Sequence, residues 1–286
     1  MAISGLNIIG ESINDSVPST HEFYEAGDFD AIRDLARFQA ENGAVCVDVN
    51  VGGRSASFME RAVRAAMEGT DLPLSIDSPD PELAAAGLKA YDAGRGKPIL
   101  NSISPLRPEM FELLKITPFR PILLISEKKN ADGTGGPCQT CDETFEAAVS
   151  LFEQAKSHGI PNDDLIFDAG IAPLATDTAG NLARLIAVLE KIHACPDMAG
   201  VHMSVGLSNF TVMLPPKRKD GSPVKSPLES AFLTLVMPLG LDYVIGSVKR
   251  NYQLLPEDAP AMECVSDCIR LGGFDALKRV RQFYRN

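Results

Sequence analysis

The 286-residue chain is short of cysteine, of long apolar runs and of positive charge, and each shortage excludes something. Six cysteines scattered along this length cannot form a disulfide framework, so a reducing, cytoplasmic setting is expected. The opening MAISGLNIIGESIN has no basic segment ahead of an apolar stretch and no small-residue cleavage site, so it does not read as a secretory signal. The longest weakly polar run, 230–248, is interrupted by Pro238 and Asp242 and makes a poor membrane span. Lys and Arg number 27 against 38 Asp and Glu, and the resulting −11 repels a phosphate backbone. His21, His158, His193 and His202 share no metal-ligand spacing. Cys138 and Cys141 have the spacing of a zinc half-site and Cys264 and Cys268 offer a second pair, but nothing in the sequence brings the pairs together. No metal is expected.

What the chain does contain is ordinary globular material: 45% hydrophobic and 23% charged residues, enough for a large core. Short β-branched runs at 6–11, 44–50, 72–78, 98–104, 121–127, 165–170, 202–209 and 242–248 read as strands. Helical patterns occupy 28–42, 81–92, 142–158, 181–193 and 227–239, with Gly43 and Gly159 as stop signals and Asp80-Pro81 as a start. Strand–helix alternation along one undivided chain, 1–286, predicts an α/β fold, a (β/α)₈ TIM barrel in a single domain. No Gly-x-Gly-x-x-Gly follows the first strand, which weighs against a dinucleotide-binding sheet. Long loops at 128–141 and 211–226 both follow strands, so a barrel carries them on its active face.

Nearly every expected strand ends in a polar residue: Glu11, then Asp48 and Asn50, Asp77, Asn101, Asp168, Ser208 with Asn209, and Ser247. A barrel gathers these at one mouth. Carboxylates accept hydrogen bonds, and amides both donate and accept. The set suits a flat, neutral heterocycle with an amino group and ring N–H donors. Single Asp and Asn residues often only cap helices or finish turns, and Asp48, inside its strand, is the most structural of them. Lys217, Arg218, Lys219 and Lys225 form a basic cluster in an acidic chain, suited to an anionic ligand tail or a partner protein, or merely to a solvated loop tip.

GESIN (10–14), DVN (48–50), SIDS (75–78), ILNSIS (99–104), IFDAG (166–170) and GLSN (206–209) occur in the order found in pterin-binding methyltransferases. The chain resembles the methyltetrahydrofolate:corrinoid protein methyltransferases and the folate domain of cobalamin-dependent methionine synthase. The resemblance implies a dihydropteroate-synthase-like barrel. It also implies that Asp77, Asn101 and Asp168 hydrogen-bond the pterin, and that Asn209 reaches the methyl-bearing N5. Glu11, Asn50, Gly206, Ser208 and Ser247 are expected to complete the folate site, with Asp77 beside Asn209 in catalysis. Ser12 stands where the family's GER-N motif has Arg. Lys217 and Arg218 are matched to an Arg that relatives carry after GLSN.

The implied reaction moves a methyl group between N5 of tetrahydrofolate (or 5-methyltetrahydrofolate) and cobalamin on a separate corrinoid protein, in either direction. No cobalamin-binding segment is expected after the eighth strand–helix unit, and homodimers are common among relatives. Dihydropteroate synthase is the rival within the fold, but its Ser-Arg-Lys after the seventh strand and its Asn-x-Thr-Pro-Asp-Ser-Phe-Ser loop are absent. A non-catalytic folate-binding protein is an alternative of a different class. A phosphate-sugar barrel would need a glycine-rich phosphate loop, for which GLSNFTV and GSVKRN are poor candidates.

Overall fold

Residues 3–285 are described by a computed structural model. The chain runs through β1 (Asn7–Asn14), α1 (Pro18–Ala26), α2 (Phe29–Glu41), β2 (Ala44–Asn50), α3 (Ala56–Gly69), β3 (Leu74–Asp77) and α4 (Pro81–Ala90). It continues with β4 (Ile99–Ile103), a 3₁₀ segment (Pro108–Lys115), β5 (Arg120–Leu124), a hairpin of β6 (Glu127–Lys129) and β7 (Gly135–Pro137), α5 (Cys141–Ser157) and β8 (Ile166–Asp168). The last part holds α6 (Asn181–His193), β9 (His202–Ser204), α7 (Leu207–Thr211), α8 (Lys225–Val236), β10 (Tyr243–Gly246), α9 (Pro260–Leu271) and α10 (Gly273–Arg285).

Four helices, α2 to α5, begin where side chains replace missing backbone acceptors. Asp28 accepts from the Ala31 N–H at the start of α2, and Asp80 accepts from Glu82 at the start of α4. Thr140 and Glu143 form a reciprocal capping box on α5. Between β2 and β3, where the sequence pattern assigned no helix, α3 starts at Ser55, whose Oγ accepts from Phe58.

Eight parallel strands pair in the order β10, β1, β2, β3, β4, β5, β8, β9. Isolated parallel bridges Met203–Leu241 and Gly206–Ile245 close the ring between β9 and β10. The fold is therefore the expected (β/α)₈ barrel. The loop expected over 128–141 differs, because much of it is the antiparallel pair β6–β7.

Period-two alternation gives the barrel interior two levels of opposite character. Ile9, Cys46, Ile99, Ile122, Ile166 and Tyr243 meet in a buried apolar layer. Two residues further along those strands come Glu11, Asp48, Asn101, Leu124, Asp168 and Ile245, at the C-terminal mouth. The other parity faces the helices and joins the large outer core, including Val47, Val49, Leu74, Ile76, Leu100, Leu123 and Phe167. Full burial of each such side chain favours folding by about 1.5–3 kcal/mol. Gly10 fits this shell because a Cβ there would come within 2.5 Å of Gln39 Oε1 on α2.

Candidate active site

The mouth of the barrel encloses a cavity of about 530 Å³ lined by Glu11, Asn14, Asp48, Asp77, Asn101, Asp168, Gly206, Ser208 and Asn209, among others. Seven of the residues expected in the folate site are therefore brought together: Glu11, Asp77, Asn101, Asp168, Gly206, Ser208 and Asn209.

Two carboxyl groups share the β2–β3 side. The Asn50 amide donates to Asp77 Oδ2 at 2.9 Å. Ser75 Oγ donates to Asp48 Oδ1 at 2.6 Å, and the Asn101 amide approaches the same oxygen at 3.4 Å. Burial and the neighbouring Asp77 push the Asp48 carboxyl well above the usual carboxylate range, and burial also raises Asp77. Asp48, expected to be structural, lines the cavity as well as bracing its floor. Its place inside the strand concealed that role, because the alternation that carries Cys46 inward carries Asp48 inward too.

On the far wall, Asp168 accepts from the Gly170 N–H at 2.8 Å and from Ser204 Oγ at 3.3 Å. Burial outweighs both bonds and pushes Asp168 up to about 6. Gly170 itself adopts the left-handed conformation, φ +64°, which favours glycine there.

Asn209 lies on α7, not on the seventh strand as the sequence pattern expected, because that strand ends at Ser204. The short helix is tethered at both ends. Ser208 Oγ donates to Glu11 Oε1, and Thr211 Oγ1 donates to the fully buried Glu229 on α8. Arg250 Nε stands 3.3 Å from Glu229 Oε2 and also draws the Glu11 carboxyl down, although burial raises both acids overall. Gly206 leaves room for the catalytic candidate itself, since a Cβ there would sit 2.9 Å from Asn209 Nδ2. Asn209 is consequently exposed toward the cavity. Glu229 and Arg250 carried no signal in the sequence, because neither lies at a strand end or in a motif.

Four other expectations resolve differently. Asn50 spends its side chain on Asp77 and on the Gly52 N–H and does not line the cavity. Ser247 caps a 3₁₀ turn by accepting from Lys249 N–H, beyond the strand end that Ile245 presents to the cavity. Lys217 is exposed and Arg218 packs its guanidinium 3.6 Å from the Phe283 ring centroid on α10, so neither lines the cavity. The reason is local: residues 217–223 fold into a tight turn, with Arg218 N–H bonded to Ser222 O, that carries the chain away from the mouth. Ser12 presents its N–H to Gln39 Oε1 at 2.8 Å, and the cation that faces neighbouring Glu11 is Arg250.

His202 lies at the opposite rim, against Asp242 at 2.5 Å. Among the described residues no group of three or more His, Cys, Asp or Glu is arranged to hold a metal, and no helix is long and apolar enough to cross a membrane.

A family model described as pterin binding enzyme matches residues 14–246, from the end of β1 to the end of β10. The chain belongs to the pterin-binding enzymes. Within reach of this family is a methylcorrinoid:tetrahydrofolate methyltransferase of Eubacterium limosum, 30% identical over 244 residues and covering 83% of each chain. Solved structures of the same architecture include dihydropteroate synthases. That of Xanthomonas albilineans matches with a TM-score of 0.56 and 18% identity, over 93% of both chains. That of Yersinia pestis matches with a TM-score of 0.59 and 15% identity, over 92% of both. At such identities the likeness speaks for the barrel alone. The carboxylates and amides of the cavity are chemically complementary to an amino group, ring N–H groups and ring acceptors such as a pterin carries.

Proposed function

We propose that this pterin-binding enzyme transfers a methyl group from the cobalt of a separate methylated corrinoid protein to N5 of tetrahydrofolate. The reading rests on one observation, that Asp77, Asn101 and Asp168 share a cavity with the exposed amide of Asn209. The direction follows that named for the Eubacterium limosum relative. Val212 and Met213, 54% and 63% exposed just beyond Asn209, supply an apolar rim for a partner to approach. Six unpaired cysteines agree with a cytoplasmic setting.

In the proposed step the N5 lone pair forms the new N–CH₃ bond. The cobalt–carbon electron pair stays on cobalt as Co(I), and the N5 proton is released. Asp77, Asn101 and Asp168 hold the pterin so that N5 faces the mouth, which is catalysis by orientation. Asn209 contributes an amide that adapts to N5 before and after methylation without a fixed charge, and α7 holds it in place in advance. No step needs a covalent enzyme intermediate.

The test is anaerobic mixing of protein, tetrahydrofolate and methylcobalamin, then of a methylated corrinoid protein, followed by the loss of methylcobalamin absorbance. Protein-dependent decay is expected, with Asn209→Ala slowing it about 10²-fold, as loss of a preorganised donor does elsewhere. Tetrahydrofolate binding by titration should survive that substitution. If the wild type binds tetrahydrofolate but never accelerates methyl loss from either donor, the reading fails in favour of a folate-binding or synthase role.

A further inference from the structure

A second cavity, also about 530 Å³, adjoins the first and shares Gly170 and Ile171 with it. Its walls come from the top of β5, the β6–β7 hairpin and the start of α6. Leu106, Pro137, Ile171 and Ala172 supply apolar surface, and Arg184 supplies a cation.

Arg184 is a half-buried cation held only by neutral groups. Its Nη1 donates to Thr144 Oγ1 at 2.8 Å and its Nη2 to the Ala169 carbonyl at 3.1 Å, both neutral acceptors. Its Nε is buried without an acceptor. The nearby carboxylates are committed elsewhere. Asp177 accepts from the Asn181 and Leu182 N–H groups, and Glu143 pairs with Lys128. Glu127, which also lines the cavity, lies 3.6 Å from Arg107. Among the described residues no carboxylate pairs directly with Arg184, and the charge of Asp177 offsets its desolvation only in part. Desolvation draws its pKa down, yet a guanidinium stays charged at any ordinary pH, so the charge cannot be relieved by proton loss. A partly buried cation without a paired anion is a standing cost that a ligand carboxylate would offset.

The occupant must reach this cavity from the pterin cavity, present an aromatic or apolar segment to Leu106, Pro137 and Ile171, and end in an anion. Tetrahydrofolate has that build, with an aminobenzoyl ring followed by glutamate carboxylates. We propose that the second cavity is the subsite for this tail and that Arg184 receives a tail carboxylate. The assignment rests on the pterin reading of the first cavity. It moves the tail-binding role from the basic cluster at Lys217 and Arg218 to the other side of the mouth.

The experiment measures the affinity of tetrahydrofolate and of tail-free 6-methyltetrahydropterin for the wild-type protein and for Arg184→Met, under anaerobic conditions. The wild type should prefer tetrahydrofolate. Arg184→Met should weaken tetrahydrofolate about ten-fold, as expected for loss of one charge-assisted contact, and leave the tail-free pterin within two-fold. Equal weakening of both ligands, or no weakening of either, overturns the subsite. Because Arg184 also braces the Ala169 carbonyl, Ala172→Glu serves as a second variant that repels the tail with that brace intact. It should show the same selective loss, and unchanged tetrahydrofolate affinity in it would equally overturn the assignment. Failure of the wild type to bind either ligand would instead overturn the pterin reading on which the subsite depends.

Discussion

Asp168 shows how a single carboxyl group in the cavity comes at a cost in stability. It is buried on a wall of the cavity, with one backbone N–H and one hydroxyl as partners, and burial pushes it up to about 6. An acid whose pKa is higher folded than unfolded favours the fold most when protonated in both states. That contribution is complete below about pH 3.8 and is lost as pH rises toward 6, after which the penalty is constant. Asp168→Asn keeps an acceptor for the Gly170 N–H and removes the charge. It should stabilise the ligand-free protein by about 1–3 kcal/mol at pH 7 and by only about 0.5 kcal/mol at pH 4. Urea unfolding of both proteins at the two pH values measures this. An equal effect at both would place the cost somewhere other than the charge. The same substitution should weaken pterin binding, since a carboxylate acceptor for ring N–H groups is lost. Asp168, Asp77 and Asn101 were legible in the sequence because alternation and strand ends are local properties. Asp48 was expected at the mouth but read as the most structural of the set, and Ser204 was not legible, because its relation to Asp168 exists only between neighbouring strands of the barrel.

At the scale of elements, α7 carries most of what the sequence pattern misjudged. Residues 202–209 are apolar and polar in alternation, which reads as a strand. The chain instead turns at Gly206 into a short helix that lifts Asn209 above the ring of strands. A five-residue helix has little stability of its own, so its position depends on its tethers. The Thr211–Glu229 bond is one of these, made in a fully buried environment beside Arg250. Thr211→Val keeps shape but strands one carboxyl oxygen, and should destabilise by about 1–3 kcal/mol. It should also lower the methyl-transfer rate more than tetrahydrofolate affinity, because Asn209 rather than the pterin wall loses its support. Thermal unfolding together with the rate and binding assays would show it. A loss of stability with no change in rate would mean that α7 is held adequately without this tether.

For the molecule as a whole, the barrel is not uniformly sealed. β1 and β2 pair at five positions despite two register shifts, whereas β9 meets β10 through isolated bridges and a few bonds such as Ile245 N–H to Val205 O. Fewer ladder bonds should lower the cost of local opening at that seam. Hydrogen exchange should therefore be faster at 202–206 than at 44–50, and bound tetrahydrofolate should slow exchange at the seam, since Gly206, Ser208 and Asn209 line the same cavity. Equal protection of both regions in the ligand-free protein would contradict this.

The sequence by itself determined the architecture and the chemical character of its mouth. Strand–helix alternation dictates a parallel barrel, and a period of two places acids and amides one level above a layer of isoleucines. Those are consequences of local chain geometry. The tertiary structure decided which polar residues touch the cavity and which support it, turning Asn50 toward Asp77 and Arg218 toward Phe283. It also left Arg184 half-buried with neutral acceptors alone. Arg184 reads as an ordinary helix residue in sequence, and only the packing of α6 against the loop after β8 removes it from water without giving it a carboxylate. Charge balance at that point depends on distances between segments far apart in the chain, and a linear pattern does not encode them.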